Sequence, residues 1–178
     1  MSLLTLVLAA AAATATPPAD VDPLSAGRAG MLQCYQPDAA RKTCSALAGY
    51  RVGAEGVIVN RAEVLLSASP WITVVTESPV TVRDGAICGP LTGVDTARVL
   101  LDGQPADAET TARVRQALTA AYAPFAGLDI CTTYRVEPGL FQGAYAYRVE
   151  ATVGGDPRPD LTQRVIWVYP EGEWAVRP

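Results

Sequence analysis

The chain has 178 residues, nearly half of them apolar, and a formal charge of −4 spread in both signs along its length. These values bound a single domain with a full core and exclude a nucleic-acid footprint, which needs clustered Lys and Arg. Histidine is absent, which removes the commonest general base, the commonest metal ligand and every Ser–His or Cys–His pair.

At the N-terminus, Leu3 to Ala13 is apolar apart from Thr5, too short to cross a bilayer as a helix and suited to the core of a signal peptide. Ala13-Thr14-Ala15 supplies small residues for cleavage, and Pro17-Pro18 then stops helical continuation. The segment before the apolar run lacks Lys and Arg, so its only positive charge is the amino terminus. The pattern predicts a leader over 1–15, a flexible lead-in over 16–30 and one domain over 31–178. No later apolar run is long enough to span a membrane as a helix.

Export sets the expectation for the four cysteines, which as an even number predict two disulfides. Cys34 and Cys44 flank Gln36-Pro37-Asp38, a favourable turn, so the two arms can return to bridging distance. Cys88 then pairs with Cys131 by subtraction. The spacing is too wide for a paired-cysteine zinc site, and no CxxC marks a redox centre.

Apolar runs on either side of Gly53-Ala54-Glu55-Gly56 predict a hairpin; Glu63 to Leu66 fits strand or helical turn equally. Trp71 to Thr76 and Val80 to Arg83 are β-branched runs broken by Ser78-Pro79, and Asp84-Gly85 turns the chain into Ala86-Ile87-Cys88. Val99 to Leu101 closes on Asp102-Gly103, another turn. The principal helix is expected over about 106–124, capped by Asp107, with Val114, Leu118, Ala121, Tyr122 and Phe125 forming an apolar stripe. Strands are expected at Ile130 to Val136 and Gly143 to Val153. Gly154 to Asp160 reads as a breaking loop, and Val165 to Tyr169 pairs with Trp174 to Val176 as a last hairpin. The fold class is α+β: a mainly antiparallel sheet with one helix against it.

Chemistry is sparse. No GxGxxG, P-loop or HExxH occurs, so no cofactor and no metal is expected. Most aromatic residues lie from Tyr122 onward, and Phe141, Tyr145, Tyr147, Trp167 and Trp174 fall in or near neighbouring strands. They form either a core stripe or a binding surface. The expectation is a periplasmic or secreted, non-catalytic binding or accessory protein of the cell envelope, touching an envelope protein or glycan through these strands. The alternatives are a small carboxylate-dependent hydrolase and an inhibitor that presents the Pro37–Lys42 loop. Intact-mass analysis of protein made with its own leader should show residues 1–15 removed and all four cysteines protected from alkylation until reductant is added. Four freely alkylated thiols on an uncut chain would overturn the export assignment.

Overall fold

A computed structural model describes residues 22–141 and 144–178; the predicted leader lies outside them. A short helix α1 (Ser25–Arg28) leads into β1 (Leu32–Tyr35), β2 (Thr43–Cys44), β3 (Ala46–Val52), β4 (Ile58–Ala68), β5 (Trp71–Arg83) and β6 (Ala86–Pro90). An excursion follows, with β7 (Arg98–Leu101), β8 (Gln104–Pro105) and α2 (Ala108–Tyr122). The chain then returns through β9 (Asp129–Phe141), β10 (Ala144–Val153) and β11 (Asp156–Val168) and ends at β12 (Ala175–Val176).

The domain is α+β, and its sheet closes on itself. Each of β1, β3, β4, β5, β6, β9, β10 and β11 pairs antiparallel with the strand before and after it in that series, and β11 pairs back onto β1. The result is an eight-stranded up-and-down barrel, in which no member strand is left as a free sheet edge along its whole length. Turn chemistry sets the hairpins. Asp84-Gly85, Asp102-Gly103 and Gly154-Gly155 all have positive φ at both positions, the backbone required by the tight turn that matches strand twist.

Several prolines that break the sequence pattern do not break the strands. Ser78-Pro79 was expected to split a strand, yet β5 runs through it. Pro79 lies between the residues of β5 that pair with β7 (72–75) and those that pair with β6 (81–83), so no neighbour on that edge needs its missing N–H. The expected loop Gly154 to Asp160 is likewise mostly strand. Pro157 pairs with Thr152 on β10, while β1 covers only Val165–Val168 of the opposite edge. Pro138 similarly falls inside β9.

The ends of the chain also depart from expectation. Residues 22–30, within the expected lead-in, include a short helix that packs against the barrel. Leu24 is 1% exposed, and a Cβ at Gly27 would lie 3.0 Å from the Tyr50 ring and 3.3 Å from that of Trp167, so a larger residue there would have to displace these rings. At the other terminus β12 pairs in parallel with β2 instead of forming a hairpin with β11. It lies beside a small apolar cluster of Cys34, Cys44, Ala146, Ile166 and Val168, partly covered by Phe141 and Trp174.

Helix α2 begins where Asp107 accepts a hydrogen bond from the Thr110 backbone N–H at 2.7 Å. It rests beside β7, with Arg115 Nε donating to the Ala97 carbonyl at 2.8 Å. Its apolar stripe is only half-buried, and Ala121 is exposed.

Cys34 is joined to Cys44 and Cys88 to Cys131, with Cα separations of 5.4 and 4.0 Å. Cys88 and Cys131 are direct cross-strand partners of β6 and β9, so this bridge staples the strand before the excursion to the strand after it. Bridging residues 43 apart in sequence should contribute about 4 kcal/mol by chain entropy. Replacing both by Ala is expected to lower urea-unfolding stability by about that amount; a loss under about 1 kcal/mol would show that strand pairing alone holds the excursion.

Candidate functional site

Closure gives every strand an inside and an outside, because successive side chains alternate and directly paired residues share a face. Three register rows show the inner wall. Tyr50, Asn60 and Ser78 align across β3, β4 and β5; Ala48, Ala62 and Thr76 form the next row; Ala46, Val64 and Val74 the one after. The bulky residues expected of a filled barrel are missing from much of this wall. Ala46, Ala48, Ala62, Ser78 and Gly89 leave a cavity of about 470 Å³, completed by aliphatic groups such as Val80, Ile87 and Ile130. That volume is in the range of sites for one small ligand.

Charge is segregated to the other face. No Asp, Glu, Lys or Arg lines the cavity. The outer wall carries cross-strand ion pairs instead: Arg51 with Glu77 at 2.8 Å, Arg135 with Glu150 at 2.7 Å, and Glu137 held between Arg164 at 2.7 Å and Arg148 at 3.8 Å.

A hydrogen-bonded cluster occupies part of the interior. The Gln33 side chain is fully buried, and its Oε1 accepts from the Tyr50 hydroxyl at 2.8 Å and the Tyr35 hydroxyl at 3.1 Å. Tyr35 and Tyr134 hydroxyls lie 3.4 Å apart, and Thr132 Oγ1 is 3.3 Å from Tyr134 and donates to the Ile87 carbonyl. Gln33 Nε2 has no partner among the described residues, a desolvated donor that costs stability. Burial first, and then the neighbouring Tyr134 phenol, hold the Tyr35 and Tyr50 hydroxyls well above the ordinary tyrosine range. Both therefore remain neutral hydroxyls. Below them Tyr50 and Trp167 pack with centroids 6.3 Å apart, under α1.

The aromatic residues singled out in the sequence do not form one surface. Phe141 and Trp174 meet at the apolar cluster around Cys34–Cys44. Trp167 and Tyr147 are half-buried on inner-face register positions, Tyr147 opposite Val136 and Val165. Tyr145 stands alone at 63% exposure. A larger depression of about 1080 Å³ lies on the outer wall around Cys88–Cys131, but its arginines are already ion-paired: Arg83 with Asp129, Arg135 with Glu150, and Arg158 with Asp160 at 2.6 Å. Two of its acids, Asp129 and Glu150, therefore face cations rather than each other, which is not the geometry of a carboxylate pair for hydrolysis. Among the described residues no three His, Cys, Asp or Glu groups come together as a metal site. The Pro37–Lys42 loop is tied down at both ends, by backbone bonds between Asp38 and Thr43 and by the Lys42 carbonyl accepting from Ala175 N.

Sequence reasoning overlooked the lumen, although a signal was there. Ala46-Leu47-Ala48 and Asn60-Arg61-Ala62 alternate small or polar residues with larger ones at period two, which in a closed sheet marks an unfilled interior.

The perturbed phenols carry a pH signature. Below the ordinary tyrosine value of about 10, folded and unfolded chains both keep these protons. Above it the unfolded chain releases them and the native state does not, so stability falls as pH rises through that range. Alkaline titration followed by phenolate absorbance should show two tyrosines ionising after the others, and Tyr35→Phe with Tyr50→Phe should remove that late step; seven phenols titrating together would contradict the burial. Compared with protein-family models, curated proteins and solved structures, the chain matches none significantly, so its function is inferred from the chemistry of the lumen.

Proposed function

We propose that this protein is an exported, non-catalytic binding protein of the cell envelope, and that it holds a small molecule inside the barrel. The observation that carries this is the 470 Å³ cavity bounded by a closed sheet and lined by small, aliphatic and uncharged polar groups. Such a lining resembles ligand sites generally: mostly apolar walls with a few placed hydrogen-bonding groups. Two disulfides suit an oxidising compartment. The expected contact through aromatic strands finds less support, since those residues are divided among the lumen, the apolar cluster and open surface. Hydrolysis finds no support in the outer depression either, where Asp129 and Glu150 are each paired with an arginine rather than with another acid.

The test uses the neutral fluorophore N-phenyl-1-naphthylamine, whose emission rises in apolar surroundings. Native protein should bind it saturably. Ala62→Phe, which places a ring in the cavity, should weaken binding by about tenfold or more, equivalent to about 1.4 kcal/mol, with an unchanged far-UV spectrum. Absence of saturable binding to the native barrel, or equal binding by a folded Ala62→Phe variant, would remove the lumen as the site.

A further inference from the structure

Resting on the lumen as the binding site, we infer that its ligand is an uncharged amphiphile, with a hydrocarbon body and a hydroxyl or carbonyl group, rather than a fatty acid, an amine or a phosphate ester. An ionised group taken from water into a low-dielectric interior is stable only if an opposite charge and hydrogen bonds meet it there. The cavity offers no such partner, because no acidic or basic side chain lines it. The cations that a carboxylate would seek stand on the opposite face of the strands, already held by acids, as Arg51 is by Glu77.

The groups that do face inward match an uncharged polar atom. Tyr50, Asn60 and Ser78 form one register row across three adjacent strands and all line the cavity. Asn60 uses one amide proton on the Gly49 carbonyl at 3.3 Å, leaving its oxygen and second proton. The Tyr50 proton is committed to Gln33, but the Ser78 hydroxyl and the Asn60 carboxamide both donate and accept, so this row satisfies an alcohol, ketone, ester or lactone without a full charge on either side. Away from it Val64, Ile87 and Ile130 give the hydrocarbon body apolar wall. Further uncharged polar groups, Tyr35, Ser45, Thr132 and Gln163, also line the wall, so the lining sets the class of ligand through its lack of charge.

The experiment is competition against N-phenyl-1-naphthylamine bound to the full-length mature protein, with decan-1-ol, decanoate and decylammonium, which share one chain and differ in head-group charge. The alcohol should displace the fluorophore at a concentration at least about tenfold below that needed for either ion. Asn60→Asp, and separately Ser78→Asp on the neighbouring strand, should shift the alcohol-to-ammonium preference about tenfold or more toward the cation. Either ion competing as well as decan-1-ol, no displacement by the alcohol, or an unchanged preference in both folded variants would overturn the neutral-ligand assignment while leaving the lumen a binding site. Failure of the fluorophore itself to bind would instead remove the lumen.

Discussion

The pairing of Leu32–Tyr35 with Val165–Val168 joins the first barrel strand to the last, and everything described above depends on it. With that seam formed, each of the eight strands has a partner on either side, and the backbone's polar groups are largely satisfied within the wall. Closure also turns the alternation of side chains into a separation of environments. One parity of residues looks into the lumen, and the other looks outward. Gln33 and Cys34 are adjacent in sequence and both fully buried, yet one belongs to the hydroxyl cluster of the lumen and the other to the apolar cluster outside it.

The wall is held from both sides. On the inner-face side, α1 packs Leu24 and Gly27 against the barrel and covers the Tyr50–Trp167 pair. Outside, the Cys34–Cys44 bridge, Trp174 and β12 pack over the seam strands, while Cys88–Cys131 locks β6 to β9 across a long excursion. This support lets the interior stay partly empty. A natural core is packed to near-crystalline density, and a cavity normally costs stability in proportion to its size. A run of alanine, serine and glycine on the inner face is therefore an expense that a purely structural barrel would avoid, which is why the cavity carries the functional assignment. On the proposed reading, the uncharged lining then narrows the ligand by the energetics of desolvation.

Much of the secondary structure was legible because its signals are local. The capping of α2 by Asp107, the Asp-Gly turns and the β-branched run at Trp71 all depend on neighbours within a few residues. Proline was the misleading signal. Pro79 and Pro157 break a strand only where a neighbour requires their N–H, and whether an edge is paired is a property of the sheet. The packing of residues 22–30 was hidden for a related reason: Leu24 and Gly27 look like lead-in until a barrel is there to receive them.

The site lay further from view. Composition by itself determined the absence of histidine chemistry, and the pattern of apolar runs and turns determined the fold class and which residues share a face of each strand. Only the tertiary structure decided which of those faces is the inside. That choice follows from ring closure between segments more than a hundred residues apart, which leaves no local trace in the chain. Tyr145 and Tyr147 illustrate it: they are two positions apart, a spacing that puts residues on one face of a regular strand, yet they straddle a register shift in the β9–β10 pair, and one stands in solvent while the other is half-buried. Alanines at 46, 48 and 62 carry no chemistry as letters; they become the wall of a cavity only when the sheet curls round them.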